Sequence, residues 1–216
     1  MQDFQQDFIE FSISKSVLKF GEYKLKSGRT SPYFFNSGLF NDGESLRLLG
    51  EYYAKTIINS DINFDMLFGP AYKGIPLVSS LAIALAQTNN RSVPYCFNRK
   101  EAKDHGEGGI TLGAPLSKDV LIVDDVITAG TSVKESIKII EEANARPVGV
   151  LIALDRQEKG ISELSAIQEI EINYKIPVIS IISLDLLIEY LSNSAELSAY
   201  LGKIQEYQID YGIKCS

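Results

Sequence analysis

The chain has 216 residues, 45% of them hydrophobic, enough to bury the core of one domain with a smaller appended lobe. Its formal net charge of −7 argues against a nucleic-acid binder that relies on a broad basic face, so any bound anion must be met by local cations. No run reaches the roughly 18 apolar residues of a membrane span, and Asp3 and Asp7 stand where a signal peptide would carry Lys or Arg.

Cys96 and Cys215 form neither a CxxC pair nor a ligand cluster with the single histidine, so neither a disulfide framework nor zinc is indicated. A cytoplasmic, reducing location is the expectation, with neither nucleic acid nor membrane as partner.

Phe4, Phe8, Phe11, Val17 and Leu18 fall at roughly helical intervals and predict an amphipathic helix over residues 3–19. Residues 22–26 and 33–35 flank the turn-rich Ser27-Gly28-Arg29-Thr30-Ser31-Pro32 and read as a short hairpin. Asp42-Gly43-Glu44-Ser45 opens a helix carried by Leu46, Leu49, Tyr53 and Ile57. Met66-Leu67-Phe68 is a short buried strand, followed by Gly69-Pro70-Ala71-Tyr72-Lys73-Gly74 and an apolar helix to about residue 87. The glycine spacing imitates a P-loop but departs from it where Ile75-Pro76 replaces Lys-Ser/Thr. A strand–loop–helix junction with Lys73 still suits an anion.

Residues 93–97 read as another strand, and residues 99–113 as a long loop without apolar period. There Arg99, Lys100, Lys103 and His105 precede a glycine-rich tail, a composition that permits movement and, in an acidic protein, points to a highly charged anion.

Val120, Leu121, Ile122 and Val123 then run unbroken into Asp124 and Asp125, as suits a strand buried on both faces whose carboxyl end opens onto a site. Val126, Ile127, Thr128, Ala129, Gly130, Thr131 and Ser132 follow, and Val133, Ile137 and Ile140 begin a helical pattern. The turn therefore offers backbone N–H groups and hydroxyls at a helix N-terminus, where a phosphate would sit. The two acids need another partner, either ligand hydroxyls or a divalent cation, and a sugar phosphate brings both.

Residues 148–154 form an apolar strand that ends at Asp155-Arg156-Gln157-Glu158. Arg156 lies where α/β folds place ligand contacts, although a surface ion pair would also account for it. Residues 161–172 read as a helix, 178–182 as a strand and 184–209 as one or two closing helices. The alternation predicts an α/β fold with a five-stranded parallel sheet flanked by helices. Its core spans about 60–183, and a small hood lobe forms from about 1–59 with the C-terminal helices at 184–216. Residues 69–74, Arg99, residues 124–132 and Arg156 would then converge at the carboxyl ends of the strands.

Residues 120–132 resemble the signature of the type I phosphoribosyltransferases. The resemblance implies that Asp124 and Asp125 read the ribose hydroxyls of 5-phosphoribosyl-1-pyrophosphate (PRPP). It also implies that Val126, Ile127, Thr128, Ala129, Gly130, Thr131 and Ser132 wrap the 5′-phosphate. Arg-Lys-x-x-Lys-x-His-Gly at 99–106, Ala-Tyr-Lys-Gly at 71–74 and Tyr-Phe-Phe at 33–35 are similar to the orotate phosphoribosyltransferases of that family.

That narrower resemblance implies transfer of phosphoribosyl from PRPP to orotate, giving orotidine 5′-monophosphate and pyrophosphate in pyrimidine synthesis. Lys26, Tyr72, Lys73, Arg99, Lys100, Lys103 and His105 would serve PRPP. Lys103, Asp125, Asp124, Arg99 and His105 would form the catalytic set. Phe34, Phe35, Thr128 and Arg156 would hold orotate. Magnesium is implied as cofactor, held mainly by PRPP and water. A non-proline cis peptide at Ala71-Tyr72 and a homodimer whose loop cations reach the neighbouring subunit's PRPP are implied as well. Rival readings are transfer to another nucleobase and a non-catalytic PRPP sensor. A phospho-accepting receiver domain fits less well, because its paired acids would follow the first strand.

Overall fold

The computed structural model describes residues 1–25, 27–103, 109–160 and 163–213, with only the backbone of Ala102 and Lys103. α1 (Asp3–Ser14) leads to the antiparallel hairpin β1 (Leu18–Lys24) and β2 (Thr30–Phe35), a short 3-10 turn at Ser37–Leu39, and α2 (Gly43–Ile58). The sheet then builds as β3 (Met66–Gly69), α3 (Gly74–Asn89), β4 (Tyr95–Lys103), β5 (Gly109–Gly113), β6 (Asp119–Val123), α4 (Thr131–Glu142) and β7 (Arg146–Asp155). α5 (Ala166–Tyr174), β8 (Val178–Ser183), α6 (Leu184–Asn193) and α7 (Leu201–Tyr211) complete the described chain.

The sheet order is β5-β4-β3-β6-β7-β8, with β6 at the centre. Five of its strands run parallel, while β5 pairs antiparallel with β4. The expected five-stranded sheet is thus six-stranded, because parts of the expected 99–113 loop are paired strand. Residues 99–103 extend β4 and 109–113 form β5; residues 104–108, including His105, lie outside the described residues. β5 escapes a sequence reading because it is a half-exposed edge strand, with no buried face to impose an apolar period.

The unbroken apolar run of β6 has a direct cause. Leu121 and Val123 enter one core with Tyr53, Leu81, Leu151 and Leu187, whereas Val120 and Ile122 enter a second core with Phe68, Ile137, Ile152 and Ile170. Successive side chains alternate between faces, and helices cover both.

α1 ends at Ser14, short of the expected residue 19. Ser16 adopts φ 58°, and Ser16 N–H and Val17 N–H donate to the carbonyls of Ile13 and Ser12. This is the hydrogen-bond pattern of a Schellman stop made without its usual glycine, which is why composition did not reveal it. Val17 and Leu18 are buried at the entry to β1 instead of continuing the helix. α5 begins at Ala166, capped by Ser165, rather than at residue 161. α2 begins as expected, with Asp42 accepting from Ser45 N–H at 2.8 Å.

Candidate active site

At the carboxyl end of β6 the chain leaves the sheet without losing its hold on β7. Asp124 N–H donates to the Leu151 carbonyl, and the Asp125 carbonyl accepts from Ala153 N–H at 2.9 Å. Both acids are buried, at 7% and 4% exposure. Asp124 Oδ1 accepts from Asp125 N–H at 2.9 Å and its Oδ2 from Ser132 Oγ at 3.0 Å. Burial, then repulsion from Asp125, raises the Asp124 carboxyl to about 6 against those hydrogen bonds and the Lys73 charge. The Tyr53 hydroxyl, from α2, donates to the Asp124 carbonyl oxygen at 2.8 Å.

Asp125 is tied differently. Its Oδ2 accepts from Ser37 Oγ and from Lys73 Nζ, both at 2.6 Å, whereas Oδ1 has no hydrogen bond among the described residues. A buried carboxylate with one oxygen anchored and one open is suited to accept a ligand hydroxyl. Downstream, Thr128 and Ala129 are exposed, and Gly130, at φ 72°, occupies the left-handed position from which α4 starts. The α4 N-terminus therefore faces an open turn with its first N–H groups unspent inside the helix.

The second loop, residues 69–74, lies beside the first because β3 is the neighbour of β6. Its two glycines serve close packing: a Cβ on Gly69 would stand 2.3 Å from the Gly74 carbonyl oxygen. The Ala71-Tyr72 peptide is cis. Buried Asn98 on β4 holds the loop by accepting from Ala71 N–H at 2.6 Å. Tyr72 is 70% exposed, and Lys73 reaches from the start of α3 to Asp125.

The third element follows β7. Arg156 Nε donates to Glu158 Oε1 at 2.8 Å, its Nη2 also reaches Oε1 at 2.6 Å, and Nη2 donates to Ser31 Oγ at 3.1 Å. The guanidinium lies 4.4 Å over the ring of Tyr33, whose hydroxyl has its pKa raised by burial. β2 thus touches Arg156 through Ser31, and the segment just beyond it touches Asp125 through Ser37. Phe34 and Phe35 fall between those anchors, Phe34 exposed and stacked on Tyr23 at 5.4 Å, Phe35 buried.

Lys73, Asp124, Asp125, Ser132 and Arg156 thus stand at adjacent strand ends. Arg99 and Lys100 lie on β4, beyond the last β3–β4 pair at Gly69 and Phe97. Lys103 closes β4, but its side chain, like Lys26 and His105, is outside the described residues. Sequence reading missed Ser37, Tyr53, Asn98, Ser31 and Glu158 as supports. Only Glu158, two residues from Arg156, carried a local signal.

A phosphoribosyl transferase domain model matches residues 39–178. The orotate phosphoribosyltransferase of Pseudomonas aeruginosa (strain PAO1) is 59% identical over 213 residues, covering 99% of this chain and 100% of that protein. The chain belongs to the orotate phosphoribosyltransferase family. The orotate phosphoribosyltransferase of Nitrosospira multiformis is 60% identical over 211 residues, 98% of this chain and 92% of its own. The crystal structure of the Francisella tularensis orotate phosphoribosyltransferase superposes with a TM-score of 0.87 at 45% identity, over 95% of this chain and 99% of that one. As in the type I phosphoribosyltransferase fold, the described chain of this family member carries a helix-flanked, mostly parallel sheet. Among the described residues no helix is long and apolar enough to cross a membrane.

Proposed function

We propose that the chain transfers the 5-phosphoribosyl group of PRPP to orotate, giving orotidine 5′-monophosphate and pyrophosphate, in pyrimidine nucleotide synthesis. The observation that carries this reading is the bracketing of β2 and its exit by two unlike sites, Arg156 at Ser31 and Asp125 at Ser37. A base bearing a carboxylate needs the first, and a ribose bearing hydroxyls needs the second.

Breaking the C1–pyrophosphate bond leaves positive charge on the ribose ring and adds negative charge to the leaving group. Asp125, through its open Oδ1, and Asp124 accept the ribose hydroxyls and oppose the developing positive charge. Val126 to Ser132 surround the 5′-phosphate at the α4 N-terminus. Lys73, together with Arg99, Lys100 and Lys103 from β4 and with Lys26, Tyr72 and His105, meets the pyrophosphate. Arg156 and Thr128 take the orotate carboxylate, and the backbone of Phe34 and Phe35 meets the ring edge. The open carboxylate oxygen of Asp125, directed to hydroxyls, fits magnesium carried on PRPP, where the ion would neutralise pyrophosphate charge. The whole chain acts as one domain, in the cytoplasm and as a homodimer whose β4 cations serve the neighbouring subunit's PRPP.

The test is the ultraviolet absorbance of orotate with purified protein, PRPP and magnesium, against mixtures lacking each component and one with uracil. The expected result is loss of the orotate signal in the complete mixture alone. Turnover of another base in its place would discard Arg156 as the orotate receiver, and PRPP binding without any transfer would replace the enzyme by a sensor.

A further inference from the structure

Arg156 is held more completely than a receiver of ligand needs to be. Its side chain is 11% exposed and that of Glu158 15%, so the two form an interior ion pair rather than a solvated surface one. A guanidinium has five N–H donors in a fixed plane. Glu158 Oε1 takes the Nε edge and Nη2, Ser31 Oγ takes Nη2, and Tyr33 covers one face. Ser31 Oγ donates its own hydrogen to the Tyr33 carbonyl oxygen at 2.7 Å, which leaves a lone pair for Arg156. Nη1, with two hydrogens, makes no hydrogen bond of normal geometry among the described residues, although the Tyr207 hydroxyl of α7 stands beside both Arg156 and Glu158.

Glu158 is itself fixed by the end of the described chain. Lys159 N–H donates to the Tyr211 carbonyl at 2.8 Å and Ile213 N–H to the Gln157 carbonyl at 2.9 Å, a short antiparallel bridge centred on Glu158 and Gly212. The Gln157 side chain adds a two-way link to α6, donating to Asp185 Oδ2 and accepting from Asp185 N–H, both at 2.8 Å. The backbone bearing Glu158 is therefore anchored from two helices that carry none of the proposed catalytic residues.

We propose that Glu158 and Ser31 are positioning residues for orotate specificity: they hold Arg156 by Nε and Nη2 and leave Nη1 as the donor that meets the orotate carboxylate. The inference rests on Arg156 as the orotate receiver. It explains discrimination between bases, because a base without the carboxylate would leave Nη1 without an anionic acceptor in a mostly buried place. It also explains how the free enzyme holds a buried cation, since Glu158 already neutralises it.

The test is steady-state kinetics on Glu158→Met, which keeps length and volume but removes the acceptor, and on Glu158→Gln, whose amide oxygen can still accept. Glu158→Met should raise KM for orotate roughly tenfold, with KM for PRPP unchanged within about twofold. Glu158→Gln should recover most of that loss. In an Arg156→Ala background Glu158→Met should add nothing, since it acts through Arg156. Ser31→Ala, expected to raise KM for orotate about threefold, gives an independent measure should Glu158→Met fail to fold.

Tighter orotate binding in both Glu158 variants would make Glu158 a competitor for Arg156 and overturn the proposal. So would a matching rise in KM for PRPP, or an additive effect in the Arg156→Ala background. If Arg156→Ala leaves KM for orotate unchanged, the orotate assignment itself fails. If that variant is impaired while the Glu158 and Ser31 variants are not, only the positioning role fails.

Discussion

The proposed ribose and base sides of the site bury charge in opposite ways. On the ribose side two carboxylates stand next to each other, and Asp124 keeps its proton up to about 6 because burial and its neighbour both disfavour ionisation. On the base side a cation and an anion are already paired, with Tyr33 and Ser31 completing the contact. The acid pair holds unfavourable charge that ligand hydroxyls and cations would relieve, whereas Arg156 and Glu158 form a finished structure that a ligand only extends. Mutations should therefore separate the two sides by substrate and by pH.

The largest expected effect is on the ribose side. Asp125→Asn removes the charge that engages Lys73 and that, in the proposed reaction, opposes the ribose cation, and should lower kcat/KM for PRPP roughly 10²-fold or more. A drop of similar size is expected for Lys103→Ala, read in turnover with the melting temperature unchanged. Near-normal turnover in either purified variant would remove that residue from the catalytic set. Arg156→Ala should act on the other substrate, raising KM for orotate at least about tenfold while the PRPP dependence stays put. A change confined to PRPP would dissolve the distinction between the two sides.

Stability should separate them by pH. An acid whose folded pKa is raised costs nothing below its unfolded value near 3.9, where both states are protonated. The cost grows as pH rises from about 4 to about 6, because the unfolded state ionises first, and is complete above the folded value. Asp124→Asn should therefore stabilise the fold at pH 8 by at most about 3 kcal/mol, with the gain fading toward about pH 4. Thermal melts at the two pH values measure it, and an equal gain at both would mean that relief of buried charge is not the cause. The smallest effect belongs to Tyr53→Phe, which strips a donor from the Asp124 carbonyl. It should cost about 1–2 kcal/mol in stability and far less in turnover than Asp125→Asn.

Much of this was legible locally. The unbroken run at residues 120–123, the acids behind it and the small-residue turn before a helical pattern are neighbours in sequence, and the buried strand they imply is β6. The Asp42 cap is likewise a three-residue relationship, and α2 starts at Gly43. β5 was not legible, since a half-exposed edge strand needs no alternation, nor was the end of α1, where serine takes the glycine position of the stop. The supports of the site were hidden for another reason. Ser37 lies 88 residues from Asp125, and Ser31 lies 125 from Arg156, so no local pattern links them.

What the sequence determined alone is therefore the set of groups that short-range rules bind together: the alternation of strands and helices, the acid pair at a strand exit, and the turn at a helix N-terminus. Tertiary structure decided which partners each charge would have. It placed Lys73 and Ser37 on one oxygen of Asp125, and it set Arg156 against Glu158 in a mostly buried pair. Backbone preference acts over a few residues, but the field at a buried charge is set by whatever the fold brings within a few ångströms, however distant along the chain.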